Sequence, residues 1–455
     1  MIFHLYSCLY VYVFVLFNTI HHVNSFGIIK SFLKKIQGHI NIHRSKIKQI
    51  NGFYGLAGPD VNISKINSLY ELFTGDGIVH GVFLENGKIT QTSHKVQTEK
   101  IKYESKHGKF VNHILLYPLY MLLNKIGLLP NTMGLANTSI IKVLARIFVL
   151  FERDLPYELS LNFENKSLDT IQKIDIKDLE NFSAHSKFND TSGKIYSLEY
   201  NVILNTVSCL MLNTEMKLMQ KIIVSPKYIP VVHDLWFLDK SNSTLFTDSP
   251  LEFSFKYTFY SKIPVVFNNK KPTYIRVINH ADNSQMVYHS KKAFYIFHYA
   301  DVIENDNDIF IYAPIYCDIG FDRLNINGKY RLLILDKKTR EILMYENPDL
   351  EKYNLDFPIK WGDKIILRNI KHNKINGFVI CKGISIVRSI FLRDRYIYGE
   401  HMLYQNKGFS RIMCFGYDDM DRCYLFLVNP ENGDVFDFPL KTQMNIGFHS
   451  IFIPR

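Results

Sequence analysis

Alternating apolar and polar residues run through most of the chain after residue 50, in short segments separated by turns. "GVFLENGKITQTSHKV" alternates on both sides of Asn86-Gly87, and "CYLFLVNPENGDVFDFPL" alternates on both sides of Asn432-Gly433. An Asn-Gly pair between two such runs favours a two-residue hairpin turn, because both residues tolerate a positive φ. The pattern therefore predicts a β-hairpin at each place.

Further strand-like runs follow one another at short intervals along the chain. They are "GKIYSLEYNVIL", "DIFIYAPIY", "YRLLILDKKTREILMYE" and "DRYIYGEHML". Many short strands with turn signals between them are typical of all-β domains such as sandwiches, barrels and propellers. No strict sequence period accompanies them, so no repeat family is indicated. We predict an all-β fold of the meander type.

One segment departs from this pattern. "VNHILLYPLYMLLNKIGLLP" (111–130) is nearly continuous in apolar residues and is broken by Pro118 and Pro130. A buried core helix is one interpretation. The other is an apolar surface, residues 111–129, that dips into a membrane at the mouth of a lipophilic pocket.

The N-terminus has the composition of a targeting sequence. Residues 5–17 are a 13-residue apolar run, which is short for a membrane span and suits the apolar region of a signal peptide over residues 1–25. Residues 26–50 are basic and lack acids, like a transit peptide for a plastid reached through the secretory pathway. A signal anchor and a simple basic N-terminus are the alternatives. We expect a chain that enters the secretory pathway and associates with a membrane, with residues 51–455 as one domain.

Charge and cysteines exclude several function classes. The formal net charge is +11, but six of the basic residues lie in residues 1–50, so the body is only mildly basic. A nucleic-acid binder is therefore not indicated. The six cysteines form no CxxC motif, which argues against a structural zinc site or a disulfide scaffold.

Four of the 17 histidines share a setting, since each lies in or beside an apolar, strand-like segment. They are His185 in "NFSAHSKFND", His233 in "IPVVHDLWFL", His298 in "AFYIFHYADVIEND" and His449 in "NIGFHSIF". On a propeller, inner strands from several blades converge on one axis, and four imidazoles delivered in this way would form an all-nitrogen site. Imidazole suits Fe, Zn, Cu and Ni alike, so the ligand type leaves the metal open.

The order of several motifs resembles the carotenoid cleavage oxygenase family. The blocks are "GFYGLAGPDV" (52–61), "LYELFTGDGIVHGVFLENGKI" (69–89), "LANTSII" (135–141) and "LFERDLPYELS" (150–160), followed by "AHS", "VHD", "FHYADVIE" and "GFH". The resemblance covers roughly residues 50–455. It implies a seven-bladed β-propeller with a helical, apolar cap over an axial metal site. It also implies that the four histidines named above are ligands of one Fe2+.

The resemblance further assigns residues around the metal. In the family, three glutamates accept hydrogen bonds from ligand histidines, which fixes the tautomer and the aim of each ring. They match Glu152 in "LFERDLPYEL", Asp356 in "NLDFP" and a position near Gln405 in "YQNKGF", where a nearby acid is the alternative to the glutamine. The last two depart from the family pattern and imply a weaker set of partners. Thr138 in "ANTS" matches a threonine whose methyl group restricts access to the metal.

Three functions follow from the resemblance. The first is a non-haem Fe(II) dioxygenase that uses O2 to cleave a conjugated C=C bond of a carotenoid, apocarotenoid or stilbene-like substrate. The second is a redox-neutral retinoid isomerohydrolase. The third is a propeller that binds a lipophilic polyene without cleaving it, because the partners of the histidines have decayed.

Overall fold

The computed structural model describes residues 47–61, 66–111, 116–254, 265–324, 326–406 and 408–455. The signal peptide and most of the basic segment expected in residues 1–50 lie outside these ranges. Most of the described chain, from residues 52–83 and from residue 89 on, forms one compact unit, and the described residues 47–51 and 84–88 are assigned to another. No helix of the described ranges is long and apolar enough to cross a membrane.

Short β-strands are the main secondary structure of the described chain, and they are numbered here in chain order. Strands β1–β11 are Gly52–Pro59, Gly77–Glu85, Lys88–Lys95, Ser139–Val143, Arg146–Leu150, Tyr157–Asn162, Ser167–Lys173, Lys187–Asn189, Lys194–Asn201, Thr206–Asn213 and Leu218–Val224. Strands β12–β21 are Leu235–Leu238, Ser243–Asp248, Leu251–Phe253, Val265–Phe267, Tyr274–Asn279, Gln285–His289, Asp301–Glu304, Asp308–Ile315, Lys329–Asp336 and Ile342–Tyr345. Strands β22–β31 are Leu355–Trp361, Lys364–Lys371, Lys374–Lys382, Ser385–Phe391, Arg395–Ile397, Met402–Asn406, Phe409–Asp418, Cys423–Val428, Val435–Pro439 and Ser450–Pro454.

The helices described in full are few and short. They are α1 Leu69–Phe73, α2 Glu99–His107, α3 Tyr117–Lys125 and α4 Pro348–Glu351. Ser68 and Thr98 cap α1 and α2, because their side-chain oxygens accept from backbone N–H groups that have no partner within the helix. The all-β character predicted from the alternating pattern is thus confirmed. Both hairpins are confirmed as well, with Asn86, Gly87 and Gly433 at positive φ.

The strands form successive sheets in chain order. Five sheets have four strands, in the orders β3-β2-β1-β31, β4-β5-β6-β7, β8-β9-β10-β11, β12-β13-β16-β17 and β18-β19-β20-β21. A nine-stranded sheet holds β22–β30, in which a single register pair joins β24 to β26, and β14 pairs with β15. The last strand closes the first sheet, because β31 pairs antiparallel with β1 from Gly52↔Pro454 to Leu56↔Ser450.

The core lies between sheets that are consecutive along the chain. One apolar cluster joins Phe148 and Leu150 of β5 to Leu210 of β10, and another joins Leu245 of β13 to Leu333 of β20. Alternation along each strand supplies these contacts, since every second side chain faces the same neighbouring sheet. The packing places one edge strand of each sheet near the edge strands of its neighbours.

The segment at residues 111–129 does not form the buried core helix that was one interpretation of its apolar run. Residues 112–115 lie outside the described ranges. Helix α3, which follows them, has no buried residue. Leu119, Met121 and Leu122 are among the exposed large apolar side chains.

Candidate metal centre

Each of the four histidines singled out in the sequence lies just before an edge strand of a different four-stranded sheet. His185 precedes β8, His233 precedes β12, His298 precedes β18 and His449 precedes β31. The strands after His233 and His449 begin with or contain buried apolar residues, such as Leu235 and Ile451. Four edge strands of four sheets thus bring the four imidazoles to one place.

The four imidazoles form one compact cluster. One ligating nitrogen from each ring lies within 4.8 Å of those of the other three. The Nε2 atoms of His185 and His233 are 3.0 Å apart, and the ring centroids of His185 and His449 are 4.4 Å apart. All four side chains are largely buried, with at most 16% of the side-chain surface exposed.

Tight backbone packing fixes the position of His449. The backbone oxygen of His449 accepts from the N–H of Ala57, and the N–H of Phe448 donates to the oxygen of Ala57. A Cβ on Gly447 would lie only 2.3 Å from Cγ of Leu56, so the chain can pass there only as glycine.

Three carboxylates contact the outward nitrogens of three histidines. Nδ1 of His233 lies 2.7 Å from Oε1 of Glu152, and Nδ1 of His298 lies 2.7 Å from Oδ1 of Asp356. Nδ1 of His449 lies 3.2 Å from Oε1 of Glu400, whose other oxygen accepts from the N–H of Ser450 at 2.7 Å. A carboxylate that accepts from Nδ1–H directs Nε2 of the same ring toward the cluster.

Gln405 itself is not the third partner, and the nearby acid that takes its place is Glu400. The Gln405 side chain is exposed and contacts Ser410, whereas Glu400, five residues earlier, reaches His449. One sequence signal could have identified Glu400: it is a carboxylate within the otherwise strand-like run "DRYIYGEHML". The site therefore has three carboxylate partners rather than two and a neutral amide.

His185 differs from the other three histidines. Its Nδ1 atom is 4.0 Å from Oδ1 of Asp234, which is too far for a hydrogen bond. That carboxylate is held instead by Lys187 at 2.7 Å and by the backbone N–H groups of Leu235 and Tyr299. Asp234 thus holds the chain at the start of β12 to the backbone of Tyr299, and it does not orient His185.

Burial and neighbouring charges determine the ionisation of the cluster. Burial, followed by the neighbouring histidines, holds the pKa of His185 well below its usual value. Burial also lowers the pKa of His298, although Asp356 opposes that effect. Burial alone would raise the pKa of Glu152 and Glu400, but the partners His233 and His449 outweigh it and lower both. These shifts favour neutral imidazoles at His185 and His298 and ionised carboxylates at Glu152 and Glu400, and neutral imidazole is the form that binds a metal ion.

The donor set fits a metal ion. Two imidazole nitrogens that share one ion at about 2.0–2.1 Å lie at most about 4.2 Å apart, so the observed spread closes with shifts of a few tenths of an ångström. Nε2 of His298 is buried and has no hydrogen-bond partner in the described chain. A buried polar atom without a partner is costly, and a metal ion would satisfy it.

Thr138, the remaining residue singled out by the resemblance, lies beside the carboxylate of Glu152. It is buried, and its hydroxyl contacts Oδ1 of Asn137 at 3.0 Å and Oε2 of Glu152 at 3.4 Å. Its backbone N–H donates to the oxygen of Leu150. Thr138 is therefore placed to restrain the partner of His233.

Replacing Glu400 with Gln is expected to weaken metal binding roughly tenfold, at the lower end of the range for such partners, because the contact to His449 is the longest of the three. The matched change Gln405→Glu should leave affinity unchanged, since Gln405 is exposed and faces Ser410. Titration of the metal-free protein with Co2+ measures both. Tighter binding by Gln405→Glu together with no change in Glu400→Gln would contradict the assignment of Glu400.

Comparisons with known proteins agree with the geometry. The family model described as retinal pigment epithelial membrane protein matches residues 48–360. Carotenoid 9,10(9',10')-cleavage dioxygenase 1 of Pisum sativum is 25% identical over 385 residues, which are 80% of this chain and 65% of that protein. The protein of the same description from Arabidopsis thaliana is 24% identical over 371 residues, covering 77% and 64%. The chain thus spans slightly less than two thirds of the length of these relatives.

Solved structures of the same fold are similar over nearly the whole chain. The lignostilbene dioxygenase of Pseudomonas brassicacearum superposes with a TM-score of 0.74 at 16% identity, covering 90% of this chain and 93% of that one. Cobalt-substituted ACO, the apocarotenoid oxygenase of Synechocystis, gives a TM-score of 0.71 at 16% identity, covering 89% and 93%. At this level of identity the likeness is one of fold.

Proposed function

The chain belongs to the carotenoid cleavage oxygenase family, and from this premise we propose that it is a non-haem Fe(II) dioxygenase. It cleaves one conjugated C=C bond of a carotenoid, apocarotenoid or stilbene-like substrate with O2. Each carbon of that bond receives one oxygen atom, which gives two carbonyl products. The observation that carries the proposal is the cluster of four buried histidines, three of which contact a carboxylate.

The finer architecture that we propose is a seven-bladed propeller. Five blades are the four-stranded sheets, and the nine-stranded sheet supplies two more, joined by the single pair between β24 and β26. The pairing of β31 with β1 closes the ring. In this arrangement the histidines lie on the axis, and the segments carrying α1–α3 form the apolar cap.

The protein residues hold and orient the centre. Burial keeps the imidazoles of His185 and His298 neutral, and the carboxylates of Glu152, Asp356 and Glu400 fix the tautomers of His233, His298 and His449. Iron bound by His185, His233, His298 and His449 would supply the activation of O2. The chain itself binds no proton in the overall reaction, so the role of its side chains is to orient groups and to exclude water.

The surroundings of the cluster suit an apolar alkene. Phe297 lies 5.4 Å from His233, and Phe357 lies 4.4 Å from His298, measured between ring centroids. Tyr295 packs on Phe297 at 4.7 Å. Aromatic faces bind a conjugated chain through dispersion and leave little room for water.

The experiment that tests this function supplies an anaerobically purified, Fe2+-loaded protein with a carotenoid, an apocarotenal and a hydroxystilbene in turn, under 18O2. Two carbonyl products, each carrying 18O when exchange with water is suppressed, are expected from at least one of these substrates. A retinoid ester is supplied as a fourth substrate without O2, and formation of an alcohol from it would favour the isomerohydrolase instead. Polyene binding without any product would favour the non-catalytic carrier. A protein that only binds polyenes was suggested because two of the three carboxylate positions depart from the family pattern. The contact of Glu400 with His449 restores the third carboxylate and removes that reason.

We also propose that the apolar surface formed by the described part of residues 111–129 docks on a membrane. Leu122 is 58% exposed and Leu128 is 66% exposed. Exposing such apolar side chains together to water is unfavourable, and an apolar patch of this kind marks an interaction surface. The turn after β9 extends the surface with Ile203, which is 78% exposed. Lys125 of α3 lies 4.0 Å from Glu180, whose backbone N–H donates to Glu199 on β9, so the helix and this turn lie on the same side.

Replacing Leu122 and Leu128 together with Asp is expected to abolish sedimentation of the protein with liposomes, because it removes apolar contact area and adds two charges. Folding should be unaffected, since neither side chain is buried. Leu343→Asp is the matched control, because Leu343 is also an exposed leucine but lies on β21, outside the proposed docking surface. Liposome binding that survives the double substitution would contradict the docking surface.

A further inference from the structure

A buried arginine without an ion pair lies beside the metal centre. Arg368 on β23 faces Asp356 of β22 across the strand register and is 9% exposed. Two other buried arginines, Arg276 and Arg331, each have a carboxylate within hydrogen-bond distance. No such carboxylate lies within 4.0 Å of Arg368 in the described chain, and its buried Nε atom has no hydrogen-bond partner there. Burying a cation without a paired carboxylate is costly, so a role other than an ion pair must account for Arg368.

The guanidinium of Arg368 stacks on an aromatic ring that contacts two of the ligand histidines. Its Cζ atom lies 3.5 Å from the ring centroid of Phe357. The centroid of the Phe357 ring lies 4.4 Å from that of His298. It lies 4.9 Å from that of His449, and those two rings stack with an interplanar angle of 27°. A cation over an aromatic face is attracted by the ring quadrupole, more so where water is excluded. Phe357 therefore contacts Arg368, stacks with His449 and packs at a tilt of 47° against His298.

The backbone at Phe357 is held in an unusual conformation. Phe357 has φ 52° and sits where the register between β22 and β23 shifts. A positive φ is disfavoured for a bulky residue and persists only when the surroundings fix it. The N–H of Phe357 donates to Oδ1 of Asp356 at 2.8 Å, and the same oxygen contacts His298. Asp356 thus holds the backbone of Phe357 and the ring of His298 at once.

Arg368 places a positive charge near two of the three carboxylates of the cluster. Glu152, Asp356 and Glu400 supply three negative charges, and a divalent ion would supply two positive charges. Arg368 interacts electrostatically with Asp356 and Glu400 and supplies the third. Burial lowers the pKa of Arg368 to about 10, which leaves it protonated at neutral pH, and burial lowers the pKa of the neighbouring His401 to about 4, which leaves it neutral. Asp234 is neutralised by Lys187.

We propose that Arg368 is a positioning residue of the metal centre, which presses the Phe357 ring against His298 and His449 and supplies the fixed countercharge of the carboxylates. The inference rests on the proposed function, since it concerns the iron bound there. A fixed positive charge close to the metal disfavours a further positive charge on it. Arg368 therefore favours the ferrous over the ferric state.

Three substitutions separate the charge from the stack. Arg368→Met removes the charge and keeps the length of the side chain, and replacement of a buried charge by an apolar residue of similar volume is generally tolerated by the fold. Arg368→Lys keeps the charge and loses the planar stack. Phe357→Leu removes the ring and keeps the charge. The readouts are the midpoint potential of the iron-loaded protein and the visible ligand-field spectrum of the Co2+-loaded protein.

The midpoint potential should shift to more negative values in Arg368→Met and stay near the wild-type value in Arg368→Lys and Phe357→Leu. The Co2+ spectrum, which reports ligand geometry, should change in all three. Arg368→Met that binds Co2+ and iron with an unchanged potential and spectrum would overturn the inference while leaving the dioxygenase proposal intact. Failure of the wild-type protein to bind either metal would overturn both.

Discussion

Replacing His298 with Ala is expected to abolish metal binding, with a loss of affinity well beyond the roughly 10–100-fold that follows removal of a hydrogen-bonding partner of a ligand. His298 supplies the buried Nε2 atom that lacks a hydrogen-bond partner in the described chain. Its loss leaves three imidazoles and strips Asp356 of its partner at 2.7 Å. Oxygenase activity should disappear with the metal. Equilibrium binding of Co2+ and the iron content of the purified protein measure the effect.

The matched control is His280→Ala. His280 is also buried, and it contacts Thr244 at 2.8 Å and Gln220 at 3.0 Å, but it is not a member of the four-histidine cluster. We expect this variant to lose stability, since buried polar partners are left unsatisfied, and to keep its metal. Equal loss of metal from both variants would show that the effect of His298→Ala is one of folding.

Replacing Glu152 with Gln or Asp356 with Asn is expected to lower metal affinity by about 10–100-fold each, at the upper part of that range. Both carboxylates lie 2.7 Å from their histidines, against 3.2 Å for Glu400. A charged acceptor makes the imidazole a better ligand than a neutral amide does. Because three carboxylates are present, Glu152 should not dominate as it would if Gln405 were the third partner.

The control for this pair is Glu158→Gln. Glu158 is a mostly buried glutamate on β6 that forms an ion pair with Arg146 at 2.7 Å and has no contact with the ligand histidines. Its loss should affect stability only. If Glu152→Gln and Asp356→Asn bind Co2+ as tightly as the wild-type protein, the carboxylates are not partners of ligands.

The sequence predicted the strands and the four histidines because both depend on local patterns. The hairpins around Asn86-Gly87 and Asn432-Gly433 follow from turn residues between alternating runs. His449 stands out because its imidazole interrupts the apolar run "NIGFHSIF". Motif order then linked residues that are up to 151 positions apart, such as His298 and His449, which periodicity alone could not do.

Other parts of the site depend on three-dimensional contacts that no local pattern encodes. Glu400 was not identified from the sequence because it lies in the connection between β26 and β27, and its contact with His449 depends on how the sheets pack. The role of Phe357 depends on a register shift and a positive φ, which neighbouring sheets impose. Arg368 likewise resembles any cation in a strand until β23 places it over that ring. The burial of helix α3 could not be predicted, because an apolar run alone does not show whether the segment packs in the core or lies on the surface.

The most direct test of the account is the metal content of the full chain purified without oxygen and reconstituted with Fe2+. We predict about one iron per chain in the wild-type protein and none retained by His298→Ala, with both proteins folded by circular dichroism. A folded wild-type protein that retains no iron after reconstitution, or a His298→Ala variant that retains it fully, would contradict the assignment of the four histidines as an iron site.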